Sequence, residues 1–299
     1  MAFAAVYLIW GSTYLAIRIG VKTLPPFLLG GSRFSFAGPV LMMVAAAFGA
    51  TWPTLKQWRA AAITSGLMLV GGNGLVVLAE REVPSSITAL IIATTPVWFA
   101  LGDWIRPRGQ RPSRRAWIGI ALGIIGVAYL SFSRSGNTTS LIVPAGGLAL
   151  LVAATISWAA GSLLVKHLEK PSSPWMMSGA QMTCGGFILL ALAAVHGEYG
   201  QWRMETVAKE GWISLGYLVV FGSWIGFSAY VWLLKVSSPS RVSTYAYVNP
   251  VVAVILGRFL LGEELSLHTA IAALVLLSGV AIVVWPSRSI PSRSLSKSS

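Results

Sequence analysis

The chain has 299 residues, 55% of them hydrophobic and only 10% charged, with a net charge of +13. Soluble domains carry about 25% charged residues, so this composition cannot coat a water-facing surface of such size. It excludes a soluble enzyme, a nucleic-acid-binding domain and a disordered chain, and it places the positive excess in the cytoplasmic loops of a membrane protein. One cysteine, Cys184, excludes an internal disulfide framework and a cysteine-rich metal site. His167, His196 and His268 lie far apart near span ends without zinc-helix spacing. No metal and no cofactor is expected.

A bilayer core takes about 20 apolar residues per helix. Ten stretches reach that length, and none has the long alternation of a β-barrel, so helices must satisfy the backbone in lipid. The first, 3–21, starts at Phe3 without a basic leader and reads as a span rather than a cleaved signal. It sets Trp10 and Tyr14 on one face at i,i+4. The breaker Pro25-Pro26 opens the second, 27–48. The third, 60–79, carries Gly71-Gly72-Asn73-Gly74. This run lacks the lysine and the strand–helix setting of a phosphate loop, so its glycines read as close helix packing. Asn73 and Glu80 share a face at i,i+7.

The fourth span, 84–104, holds Thr95, Pro96 and Trp98, and the fifth, 116–133, follows a loop with five arginines. After a linker at 135–143 the sixth, 144–166, carries Ser157-Trp158, and Pro174 opens the seventh, 174–195. The eighth, 212–233, aligns Ser223, Phe227 and Tyr230, and the ninth, 239–260, aligns Arg241, Tyr245 and Asn249 beside Pro250. The tenth, 267–285, is followed by a Ser-, Pro- and Arg-rich tail, 286–299, expected to be disordered.

The chain repeats itself. A shift of 148 superposes Trp10 on Trp158, Arg18 on Lys166, Pro26 on Pro174, Gly38 on Gly186 and Gly49 on Gly197. A shift of 154 superposes Trp58 on Trp212, Gly72 on Gly226, Ser86 on Ser240 and Pro96 on Pro250. The repeats are 1–134 and 144–285, with five spans each. Five is odd, so the second repeat enters from the opposite side and the two are inverted. That architecture holds a solute near the midplane between the halves. With the N-terminus inside, 14 of the 22 Lys and Arg fall on the cytoplasmic side, against two of the nine acids. This bias sets both termini in the cytoplasm.

The first span reads Ile9-Trp10-Gly11-Ser12-Thr13-Tyr14, the third Gly72-Asn73-Gly74 then Ala79-Glu80, and the sixth Ile156-Ser157-Trp158-Ala159. The ninth reads Tyr245-Ala246-Tyr247-Val248-Asn249-Pro250-Val251-Val252-Ala253, then Gly262-Glu263-Glu264. Over residues 3–285 the chain resembles the drug/metabolite transporter superfamily, specifically its ten-helix EamA-type exporters. The first half lacks the Gly-Glu turn and has the basic loop instead. The resemblance implies a bacterial inner-membrane protein that exports amino acids, especially aromatic or apolar ones, and sometimes toxic organic compounds.

An all-α membrane bundle of ten spans in two inverted repeats is therefore expected, exporting small molecules by alternating access, without enzymatic activity. Spans one, three, four, six, eight and nine should build the pocket. Asn73, Thr95, Ser157 and Asn249 are the candidates for the polar end of the solute. Trp10, Tyr14, Trp98, Trp158, Phe227, Tyr230 and Tyr245 are the candidates for its apolar part. Pro96 and Pro250 should kink their helices and free carbonyls. Arg33, Arg258 and Lys235 count as groups near span ends. Mid-span positions hold no carboxylate or histidine, so a passive carrier is expected, with Glu80 as the one proton-coupling candidate. An organic-cation exporter coupled to protons, or a non-transport membrane accessory, would fit the same composition.

Overall fold

In a hydrocarbon core only a helix satisfies its own backbone, and the long apolar stretches fold accordingly into ten helical rods. The computed structural model describes residues 1–105, 111–132, 144–237, 242, 244–263 and 266–284. The rods are α1 (Ala2–Gly20), α2 (Pro26–Ala47), α3 (Leu55–Ala79), α4 (Ser85–Ile105) and α5 (Arg114–Phe132) in the first half. The second half holds α6 (Ala145–Leu164), α7 (Pro174–Val195), α8 (Lys209–Val236), α9 (Tyr245–Leu261) and α10 (Leu267–Val284). Seven of these are long and apolar enough to cross a membrane unaided. The others are α5, which opens on Arg114-Arg115, and α9 and α10, whose apolar runs are shorter.

Local chemistry sets the ends. The third helix starts at Leu55, five residues before the apolar stretch, because Thr54 and Gln57 form a reciprocal capping box. Ser173 caps α7 by accepting from the Met176 N–H at 3.3 Å, with Pro174 at the first helical position. Gly49 (φ 83°) and Gly197 (φ 69°) terminate the equivalent helices α2 and α7 in the left-handed region, so this repeat pair shares one backbone job. The linker 135–143, the tail 286–299, Arg106, Arg108 and Arg241 lie outside the described residues.

Packing follows the repeat. α2 lies on its counterpart α7, and α5 on its counterpart α10. α1 packs against α8 and α9 of the other half, while α6 packs against α3 and α4. Each half thus inserts its first helix between the later helices of the other. The repeat also extends to helix geometry: α3 is π-helical over Gly66–Gly74 and α8 over Leu218–Phe227. Such π-stretches are rare and cluster where a helix serves a site.

The two prolines behave differently. The rod α4 divides into Ser85–Ile92 and Thr95–Ile105 just before Pro96. The Ile92 carbonyl that Pro96 cannot bond accepts the Thr95 hydroxyl instead. Pro250 sits within the uninterrupted helix α9.

Candidate functional site

The π-helical stretches present glycine where the other half presents tryptophan. A Cβ on Gly72 would stand 2.8 Å from Trp158 Cε3, and one on Gly226 would stand 2.6 Å from Trp10 Nε1. Only glycine lets each indole lie against the opposing backbone. The two indoles then meet edge to face, with ring centroids 5.4 Å apart.

A cavity opens beside this pair. Its walls come from α1, α2, α3, α4, α6, α8 and α9. Seven candidates from the sequence line it: Trp10, Tyr14, Asn73, Thr95, Trp158, Phe227 and Tyr245. Two more stand one layer behind. The Tyr230 hydroxyl accepts from Trp158 Nε1 (3.0 Å) and meets Ser162 Oγ (2.8 Å), fixing the Trp158 ring. Asn249, with its amide nitrogen turned to donate, reaches the carbonyls of Tyr7 (2.8 Å) and Tyr245 (3.3 Å) and shares a side-chain hydrogen bond with Tyr14.

The remaining candidates lie elsewhere. Ser157 donates to the Leu67 carbonyl at 2.7 Å and packs on Gly71, so it joins α6 to α3. Trp98 is half-buried against Phe99, Ala159 and Leu163. Trp224 and Trp232 border a separate groove. Glu80 is fully buried and is not on the cavity wall, though it acts electrostatically on the wall residue Tyr14, and neither carboxylate oxygen has a hydrogen-bond partner. Arg18 donates to the backbone carbonyl of Glu80 and not to its carboxylate.

Besides apolar and glycine positions, three polar lining residues were not among the sequence candidates: Thr13, Thr155 and above all Arg33. Arg33 is 4% exposed and is the one charged side chain on the described cavity wall. It is the eighth residue of α2, about 10 Å along the helix axis, and not an end group. Its Nε donates to Ser223 Oγ at 2.8 Å, its guanidinium carbon lies 4.6 Å from the Phe34 ring centroid, and its Nη1 has no partner. An ionisable residue within a twenty-residue apolar span was the available signal.

A different pair of carboxylates joins the halves. Glu198 accepts from the N–H groups of Phe27 (3.2 Å) and Leu28 (2.8 Å), at the start of α2. Glu263 accepts from the N–H groups of Ser85 (2.9 Å) and Ser86 (3.1 Å) and from Ser85 Oγ (2.8 Å), at the start of α4. Acids of the second half therefore hold two helix N-termini of the first, where the helix dipole favours negative charge.

A membrane bundle whose described residues form helices in two intertwined halves, with a cavity where they meet, defines a membrane transporter. Matching the chain against known families agrees with this: the EamA-like transporter family matches residues 1–132 and 145–285, and the chain belongs to that family. The inner membrane transporter YedA of Escherichia coli K12, named as uncharacterized, is 38% identical over 94% of this chain and 89% of its own. A protein of Salmonella typhimurium LT2 named as a probable amino-acid metabolite efflux pump is 26% identical over 95% of this chain and 93% of its own. A solved structure titled only as a protein crystal structure shares the fold at a TM-score of 0.66 and 20% identity, covering 94% of this chain and 95% of that one.

Proposed function

We propose that this transporter exports amino acids, aromatic or apolar ones favoured, from the cytoplasm by alternating access. The observation that carries the reading is the cavity between the halves, whose wall combines Trp10, Tyr14, Trp158, Phe227 and Tyr245 with the polar groups of Asn73 and Thr95. Aromatic faces take an apolar side chain, and a few fixed polar groups orient the head of the solute. The name of the Salmonella relative points the same way. The Lys/Arg bias supports cytoplasmic N- and C-termini and a bacterial inner-membrane setting. In that orientation Glu198 and Glu263 sit on the outer side, and the repeats 1–134 and 144–285 must release these two carboxylates when the outer side opens. An organic cation would meet Arg33 in the wall, which speaks against that alternative.

The carrier runs down the solute's own gradient. No carboxylate or histidine lines the cavity among the described residues, Glu80 included. Efflux of an amino-acid panel and of a cationic dye from proteoliposomes, with and without an imposed pH gradient, tests both statements. Efflux of phenylalanine and leucine without a pH gradient is expected. Dye efflux without amino-acid efflux would replace the amino-acid reading, and pH-driven uphill accumulation would replace the passive one.

A further inference from the structure

Two residues of the cavity wall each carry a buried polar atom without a partner: Nη1 of Arg33, a charged donor, and Oδ1 of Asn73, an acceptor. A buried guanidinium without a counter-charge is costly, and a buried amide oxygen without a donor costs less in the same direction. Here both costs fall in one cavity, on opposite halves of hydrogen-bond chemistry. The Arg33 group is also held in place. Ser223 takes its Nε, Phe34 lies under its plane, and Gly222 leaves it room, since a Cβ there would stand 2.6 Å from Nη2.

The repeat sharpens the point. A shift of 148 places Arg33 on Gln181, and the two are buried on the paired helices α2 and α7. Gln181 donates to Thr64 Oγ1 at 2.7 Å and lies off the cavity wall. The same slot therefore serves helix packing in one half with a neutral amide. In the other half it holds a cation on the cavity wall, with one buried donor lacking a partner.

We infer that Arg33 binds the carboxylate of the transported solute, with Asn73 Oδ1 accepting from its ammonium group, so that the cavity reads an amino-acid zwitterion by both ends. This rests on the amino-acid reading above and gives it a direction: the carboxylate lies toward α2, the ammonium toward α3. A solute with a carboxylate but no amine keeps the stronger contact. A solute whose carboxylate is amidated or removed brings a lone positive charge to Arg33 and is rejected.

The test measures binding of phenylalanine, phenylalaninamide, phenethylamine and 3-phenylpropionate to the purified full chain in nanodiscs, together with ligand-free melting. In the wild type, phenylalanine and 3-phenylpropionate should bind at least about tenfold more tightly than phenylalaninamide and phenethylamine, the scale of a lost charge-assisted hydrogen bond. In Arg33→Gln that gap should close, Arg33→Lys should keep part of it, and the ligand-free melting temperature of Arg33→Gln should stay level or rise. A purely structural arginine would give a lower melting temperature and an unchanged gap, which overturns the proposal. Should Arg33→Gln fail to fold, the wild-type series decides alone: equal binding of phenylalanine and its amide overturns it. Binding of 3-phenylpropionate without any of a wider amino-acid panel would keep the carboxylate contact at Arg33 and refute the amino-acid reading and the ammonium contact. Amino-acid binding indifferent to the carboxylate would do the reverse.

Discussion

The two halves of the transporter solve one packing problem twice and one chemical problem once. Trp10 against Gly226 and Trp158 against Gly72 are the same contact made in both directions, and the two indoles touch at the centre. Arg33 and Gln181 occupy one repeat position but differ in charge and in what they face. Symmetry builds the frame, and a departure from it supplies the charge in the cavity. A solute with two unlike ends can be held in one orientation only by a site whose two sides differ.

The largest expected effect breaks the shared contact. Gly72→Leu and Gly226→Leu each force a side chain into an indole backed by a helix, at a cost of about 3 kcal/mol. Folded protein in the membrane should fall sharply and alike for both, as fluorescence-detected size exclusion would record. Tolerance of one and loss of the other would mean that the contacts are not equivalent.

Next comes a transplant of the charge. The double variant Arg33→Gln with Gln181→Arg keeps the composition but moves the cation to a slot that meets Thr64 and no cavity. Phenylalanine flux should stay at least about tenfold below wild type; recovery would show that the side of the charge is immaterial.

The two carboxylate clasps should matter less. Glu263→Ala and Glu198→Ala each leave two N–H groups at a helix start without their acceptor, worth about 1–2 kcal/mol. A melting shift of similar size for both is expected, and no shift for either would remove them as ties between the halves.

Asn249→Ala should lower stability by about 1 kcal/mol, since its amide is bonded to backbone of α1 and α9. Its effect on flux should follow the loss of folded protein. The smallest effects belong to Ser157→Ala, Trp98→Phe and Glu80→Gln, whose side chains lie off the cavity. Flux per folded molecule should stay within about twofold of wild type, and Glu80→Gln should leave the response to a pH gradient unaltered.

Most of the frame was legible in the residues. The Trp10/Trp158, Gly72/Gly226 and Gly49/Gly197 matches each correspond to a shared contact or backbone state. Helical spacing found much of the aromatic wall, because α1 turns a continuous face to the cavity, to which α8 adds Phe227 and α9 adds Tyr245. Ser157, a candidate as a polar group at mid-depth, neighbours Trp158 in sequence but points about 100° away around the helix. Trp98 shares a helix side with Thr95 but packs against Phe99, Ala159 and Leu163 instead of the cavity. Helical spacing also overlooked α2, which contributes a charge and a phenylalanine rather than a cluster of aromatics. Arg33 was counted with the span ends because distance along the chain was taken for depth. The direction a side chain faces comes from how the halves interlock, and spacing within one helix does not contain it.

The division of labour between Arg33 and Gln181 is tested most directly by melting Arg33→Gln and Gln181→Leu side by side, with and without saturating phenylalanine. Arg33→Gln should be at least as stable as wild type without ligand and should lose the phenylalanine-induced shift. Gln181→Leu should melt lower, because Thr64 loses its donor, and should keep that shift. A destabilised Arg33→Gln that still gains a full shift from phenylalanine would contradict the account.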